Sequence, residues 1–196
     1  MDPIRRLCVF CGSSRGSDPL YAETARALGQ VLAEAGIAVV YGGSSVGLMG
    51  ELADAALAAG GKVIGVLPQA LAHREIGHAG LTELRIVQSM HERKALMAEL
   101  ADGFIAMPGG IGTFEEIFEV WTWAQLGHHA KPCSLLNVDG FYDGLISFLD
   151  SVVDRQFIKP VNRDMLLIAR DPATLLAKLR AYEAPQVTQW IQSDQS

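Results

Sequence analysis

Along the chain, short apolar and often β-branched runs alternate with longer amphipathic or alanine-rich ones. The short runs are RLCVFC, IAVVYG, KVIGVL, LRIVQS, GFIAMP, SLLNV and MLLIA. The longer ones span residues 19 to 35, 46 to 59, 90 to 101, 113 to 127, 141 to 156 and 172 to 182. Strands that take turns with helices in this way predict a parallel sheet covered on both faces. The expected fold class is therefore α/β, a Rossmann-like three-layer fold with a parallel sheet of about seven strands flanked by helices. Asp18 before Pro19 forms an N-cap and first-turn pair for the first helix, and Gly36 supplies its stop. No repeat, low-complexity tract or linker interrupts the pattern before a polar tail, so one domain is expected over residues 1 to 184 and a peripheral tail over 185 to 196.

The longest stretch without clear periodicity is PQALAHREIGHAGLTEL, residues 68 to 84, between the third and fourth strands. A connection this long in a compact α/β domain is usually functional or carries a short helix. Glu75 within it is a candidate for reaching substrate, or else a solvated charge in a surface loop.

Composition narrows the picture. With 196 residues, 49% hydrophobic and 19% charged, the chain is long enough for one core and short for two domains. Sixteen Lys and Arg against twenty-two Asp and Glu give a net charge of −6, and the adjacent basic pairs are confined to Arg5-Arg6 and Arg93-Lys94. Nucleic-acid binding needs clustered positive charge, so it is not expected. The apolar run LCVF is too short for a signal peptide's central segment, and no stretch approaches a membrane span. The expected location is the cytoplasm.

Three cysteines, an odd number, do not make a disulfide framework in a chain this size. Cys8 and Cys11 spell C-x-x-C, but along a strand residues three apart point to opposite faces, so buried thiols are the better reading than a redox pair. His73, His78, His91, His128 and His129 lack ligand spacing with the cysteines, and no structural metal is expected.

Ligands of open parallel sheets bind beyond the carboxyl ends of the strands. Three turns there are small and polar: CGSSRG at 11 to 16, YGGSSVGLMG at 41 to 50 and PGGIGT at 108 to 113. Glycines let the backbone approach a ligand closely, and each following helix start offers free N–H donors and a positive dipole end to an anion. The turns supply Gly12, Ser13, Gly42, Gly43, Met49, Gly109, Gly110, Ile111 and Gly112 as candidate binding positions for a phosphate or nucleotide. No G-x-x-x-x-G-K-[ST] motif is present, and the first turn lacks the spaced glycines of a dinucleotide fold.

Thr113 to Glu116 reads T-x-x-E, a capping box in which the glutamate would fold back onto the helix start. The stretch MHERK, residues 90 to 94, begins the helix after the fourth strand and places Arg93 and Lys94 in or near its first turn, where cations oppose the helix dipole. A bound anion would offset that cost; the alternative is solvation or pairing with a nearby acid. The MHERK and GTFEE helix starts flank the strand GFIAMP, so Arg93 and Glu116 can face one cleft. A carboxylate, a guanidinium and several helix-end amides around one cavity suit cleavage of a phosphorylated sugar derivative.

The combination of PGGIGTFEE with MHERK resembles the P-G-G-x-G-T-x-x-E and M-H-x-R-K motifs of the LONELY GUY (LOG) family of cytokinin-activating phosphoribohydrolases. The resemblance runs from CVFCGSS through YGGSSVGLMG, VIGVLP and REIGH to EVWTWAQLG. It implies hydrolysis of the N-glycosidic bond of N6-modified adenosine 5′-monophosphates, and of plain AMP as in bacterial relatives, to free base and ribose 5-phosphate, without a cofactor. By position, Arg93 and Glu116 match the catalytic pair. Glu75, Lys94, the segment Gly110 to Glu116 with Thr113, Phe114 and Glu115, and Thr122 match substrate-contacting positions. Members of the family have been labelled lysine decarboxylases, yet nothing in the chain argues for a pyridoxal phosphate site. Ser44 stands where many relatives carry a third glycine, which would tighten that turn or add a hydroxyl.

The resemblance also implies a homodimer with its site near the interface. Trp121 and Trp123 lie about 200° apart around one helix, so a single core face cannot take both. Either one meets a partner subunit or the helix is buried on two sides. A second functional reading is a nucleotide or cofactor carrier without hydrolysis on the same fold, as in molybdenum-cofactor carrier proteins. A carrier needs no acid beside the sugar, although a capping role would keep Glu116 in place.

Overall fold

The computed structural model describes residues 3 to 72 and 77 to 185. All seven apolar runs form strands: β1 (Arg6–Phe10), β2 (Ala38–Tyr41), β3 (Val63–Pro68), β4 (Glu83–Val87), β5 (Gly103–Ala106), β6 (Cys133–Leu136) and β7 (Leu166–Ala169). They make one parallel sheet in the order β4-β3-β2-β1-β5-β6-β7. Around it stand α1 (Pro19–Glu34), α2 (Gly47–Ala58), α3 (Gln69–Ala72), α4 (Met90–Leu100), α5 (Ile111–Gln125), α6 (Asp143–Asp154), α7 (Pro160–Asp164) and α8 (Pro172–Arg180).

Two buried clusters, one on each face of the sheet, complete three layers. One joins Leu7 and Val9 to Leu28 of α1, Leu52 of α2 and Leu175 of α8. The other joins Cys8 and Phe10 to Met97 of α4, Ile117 and Trp121 of α5 and Leu149 of α6. Cys8 and Cys11 fall into different clusters, as the strand period requires, and burial pushes both thiols well above their ordinary range. Among the described residues all three cysteines are free and buried.

The local signals of α1 hold: the Asp18 carboxylate accepts the Leu20 N–H at 2.8 Å, and Gly36 ends the helix with φ 70°. The gap after β3 begins with the short helix α3. The boundary after β6 differs from the periodic reading. The segment expected as helix from residue 141 opens with a 3-10 turn, Val138–Gly140, and α6 proper starts at Asp143. Asp139 and Gly140 take left-handed φ values of 48° and 73°, which halt the helix and turn the chain over the carboxyl end of the sheet.

Strand order reverses about β1, because the chain fills one side as far as β4 and then crosses to place β5 on β1's other flank. The crevice between the carboxyl ends of β1 and β5 is where such a sheet takes its ligand.

Candidate active site

The turns beyond β1, β2 and β5 are stitched together by backbone hydrogen bonds. The Gly12 N–H donates to the Pro108 carbonyl at 3.0 Å, and the Leu48 N–H donates to the Gly12 carbonyl at 3.0 Å. Two glycines of these turns lie directly against side chains of the site. A Cβ on Gly42 would run into the Arg93 guanidinium, and one on Gly109 would run into the Thr113 side chain. Met49 closes on Gly42 beside Arg93. Ser44 is 4% exposed, pairs with Gly77 in an antiparallel bridge and accepts the Val46 N–H at 3.4 Å, so its hydroxyl tightens the turn.

At the start of α5 the structure corrects the capping-box reading. The N-cap is Gly110, in extended conformation, with no side-chain cap. Helical backbone begins at Ile111, two residues earlier than expected, so Thr113 lies inside the first turn and Glu116 a turn further along. The glutamate, a turn inside the helix, cannot reach back to cap it. The S-x-x-E box belongs to α4 instead. There Ser89 Oγ accepts the Glu92 N–H at 3.1 Å, and the Glu92 carboxylate accepts the Gln88 N–H at 2.7 Å.

Freed from capping, Glu116 is 9% exposed and points toward α4. Its Oε1 lies 3.4 Å from Arg93 Nη1, and Arg93 Nε donates to the Val66 carbonyl at 3.3 Å. Burial raises the Glu116 acid above its ordinary range, with the Arg93 charge acting in the lowering direction. Lys94, one residue on, behaves differently. It pairs with Glu115 and, at 3.0 Å, with Glu119, and these partners hold its ammonium above the ordinary lysine range against a lowering by burial. Its cost at the helix start is thus met by acids of α5 rather than by an open anion site.

A cleft of about 240 Å³ lies between the Gly12–Gly16 turn, Pro108–Gly110 and Phe141. Gly12, Ser13, Gly109 and Gly110 line it. Ile111 is 82% exposed at the helix start, with Gly112 exposed beside it, and Phe114 stacks on Phe141 with ring centres 6.5 Å apart. Gly43 stands behind the site, its carbonyl accepting the His78 N–H at 2.9 Å. Thr122 is not brought to this cleft. Its hydroxyl donates to the Phe118 carbonyl at 2.7 Å, about 16 Å along the helix axis from Ile111. Glu75 lies outside the described residues. Among the described residues no group of three His, Cys, Asp and Glu side chains gathers as a metal ion would require.

The periodic reading missed Phe141 and Tyr142, because it counted them as helix. The D-G pair at 139 and 140 is a turn signal that would have exposed them. It also missed Glu119, for which the sequence carries no signal beyond its one-turn spacing from Glu115.

A family model described as "Possible lysine decarboxylase" matches residues 49–179. The chain is 51% identical over 179 residues to a probable cytokinin riboside 5′-monophosphate phosphoribohydrolase of Oryza sativa subsp. japonica, covering 91% of this chain and 72% of the relative. It is 51% identical over 180 residues to a cytokinin riboside 5′-monophosphate phosphoribohydrolase of Arabidopsis thaliana, covering 92% of this chain and 83% of the relative. Among solved structures, the molybdenum cofactor binding protein of Rippkaea orientalis superposes with a TM-score of 0.70 at 23% identity, over 92% of this chain and 98% of that one. The molybdenum cofactor carrier protein of Chlamydomonas reinhardtii gives 0.69 at 22% identity, over 92% and 100%. At such identities the likeness is one of fold.

Proposed function

The chain belongs to the LOG family of cytokinin riboside 5′-monophosphate phosphoribohydrolases, and from that premise we propose that it hydrolyses N6-modified adenosine 5′-monophosphates, and AMP, to free base and ribose 5-phosphate. The observation that carries this reading is the buried Glu116, which caps nothing and holds Arg93 as its ion-pair partner against the Gly42 turn. In the proposed reaction the 5′-phosphate rests on the uncapped start of α5 and the neighbouring glycine turns, where amides and the dipole receive it without any cofactor. The bond between the anomeric carbon and the base nitrogen breaks, and water supplies a hydroxyl to the sugar and a proton to the base. Positive charge develops on the ribose as the bond opens. A carboxylate in a poorly solvated site stabilises that charge more than one in water, and its raised proton affinity suits it to take the proton of the attacking water. Arg93 keeps it ionised and oriented.

The carrier reading has less support, because a carrier would keep Glu116 only as a cap and it is not one. We further propose a cytoplasmic homodimer acting on small nucleotides, with neither nucleic acid nor membrane as partner. Free, buried cysteines support the compartment, and the net charge of −6 speaks against nucleic acid. No described helix is long and apolar enough to cross a membrane. Trp121 and Trp123 both pack on the same buried cluster, Trp123 only in part, so the expectation that one core face cannot take both does not hold; the exposed Thr122, outside its own cleft, is what supports a second subunit approaching along α5.

The test is chromatographic detection of free base after incubation with AMP and with isopentenyladenosine 5′-monophosphate, alongside Glu116→Gln and Arg93→Ala. Base release by the wild type, lost in the variants, is the expected result. Nucleotide binding without release would overturn the hydrolase and leave the carrier.

A further inference from the structure

The cleft at the start of α5 has two unlike walls. One is backbone, from the Gly12 turn and Pro108–Gly110; the other is aromatic, from Tyr21 and Phe141. Phe141 is 38% exposed and fixed from behind. Its ring meets Tyr142 edge-on at 4.9 Å and Tyr21 edge-on at 6.0 Å, and stacks on Phe114 at 6.5 Å. The backbone that carries it is equally constrained. The Asn137 side chain accepts the Tyr142 N–H at 2.8 Å and donates to Asp143 at 2.6 Å. The buried Tyr142 hydroxyl donates to the Met107 carbonyl at 2.6 Å, which ties the loop to the root of the P-G-G turn.

A phosphate seated on α5 would therefore have donors on one side and rings on the other. A phenyl ring offers a further anion neither a formal charge nor an N–H or O–H donor, and its face is electron-rich. Arg15, the cation on the rim, is already paired with Glu51 at 2.5 Å. The hollow beyond Arg15 carries the Asp18 and Glu51 carboxylates and one further cation, Arg26, which is paired with the same Glu51 at 2.5 Å. We propose that Phe141 is a specificity-determining residue that restricts this site to a single 5′-phosphate, because a second phosphate would lie against its ring, with the arginines beyond it already paired to Glu51. The inference rests on the phosphoribohydrolase reading for the seat of the first phosphate.

The experiment compares wild type, Phe141→Ala, Phe141→Leu and Phe141→Lys in two arms. One is kcat/KM for base release from AMP and ADP; the other is calorimetric binding of AMP, ADP and ribose 5-phosphate, repeated on Glu116→Gln protein. Wild type is expected to prefer AMP, and Phe141→Ala to narrow that preference by about tenfold or more, while Phe141→Leu, which keeps apolar bulk, retains it. Phe141→Lys, whose ammonium supplies the missing charge, is expected to move the preference furthest toward ADP, and it decides the matter if the alanine variant melts early. Equal losses on AMP and ADP in every variant would overturn the inference and leave the ring as packing. Loss of AMP affinity with ribose 5-phosphate affinity intact would overturn it too, since the ring would then be stacking the base. If wild type releases no base, the hydrolase reading fails, and the binding arm alone decides: an AMP preference that narrows in Phe141→Ala supports the inference, and equal AMP and ADP affinities end it.

Discussion

Arg93 and Lys94 are neighbours on α4, and Glu115 and Glu116 are neighbours on α5, so the two helices meet through two adjacent ion pairs. Lys94 is gripped by Glu115 and by Glu119, the latter at 3.0 Å, with only 10% of its side chain exposed. Arg93 stands 3.4 Å from Glu116, with 13% and 11% of the two side chains exposed. Successive helix residues point about 100° apart, which is enough to send one pair into the helix interface and the other under the glycine turns. The Lys94 pair has its ammonium shared between two acids and joins α4 to α5. The Arg93 pair is slack, and its carboxylate is held above its ordinary range by burial, so it keeps capacity for a third group. Closeness in sequence has not made these pairs alike; one joins the helices and the other is the pair proposed to react.

Breaking the reactive pair is expected to have the largest effect. Glu116→Gln should lower base release by about 10³-fold or more, since it removes the charge stabilisation and the proton acceptor together. Chromatography on protein of unchanged circular dichroism checks it, and activity within tenfold of wild type would mean that the chemistry lies elsewhere. Arg93→Ala should follow with a loss of about 10²-fold, because it leaves Glu116 unpaired and empties the space against Gly42. Arg93→Lys should not restore activity, since an ammonium cannot reach both the Val66 carbonyl and Glu116 as the guanidinium does.

Breaking the holding pair should look different. Lys94→Met keeps the buried stem but removes the charge between Glu115 and Glu119, and is expected to cost about 1–2 kcal/mol of stability. Chemical denaturation measures that loss, and kcat should fall far less than in Glu116→Gln. A collapse of kcat with stability intact would instead make Lys94 a substrate ligand, as the family resemblance implies.

These two pairs also show where the sequence was legible. The strands stood out because a parallel sheet buried on both faces writes each strand as a near-continuous apolar run. Arg93 and Glu116 could be brought together because topology alone sets both helix starts at the carboxyl edge. What failed was the choice between two uses of one pattern. T-x-x-E fits a capping box, and only the extended backbone of Gly110 shows that the helix begins before Thr113. Lys94 could not be given its partners for a related reason: Glu115 and Glu119 lie 21 and 25 positions away, and their facing depends on how α4 rolls against α5. The short helices α3 and α7, of four and five residues, hold too few turns for a period to register.

The smallest effect sharpens the comparison from the other side. Glu116 has its acid raised in the folded chain, chiefly by burial, with Arg93 only partly opposing. In the unfolded chain it titrates near the ordinary glutamate value of about 4.3. Between that value and the raised folded one, the native state binds more protons than the unfolded state, so this group's contribution to stability falls as pH rises through the interval. Above that interval the fold therefore carries an ionised carboxylate that it would hold more readily if protonated. Glu116→Gln imitates the protonated form in shape and charge. It should melt at or above the wild-type temperature at pH 7, and the excess should vanish as the pH drops below the unfolded value. Melting curves of both proteins from neutral to acid pH measure this directly. A variant that melts lower at pH 7 would mean that the Arg93 pair, like the Lys94 pair, is a net support of the fold. An excess that closes on acidification would show that the molecule gives up stability at this one carboxylate to keep it charged beside Arg93.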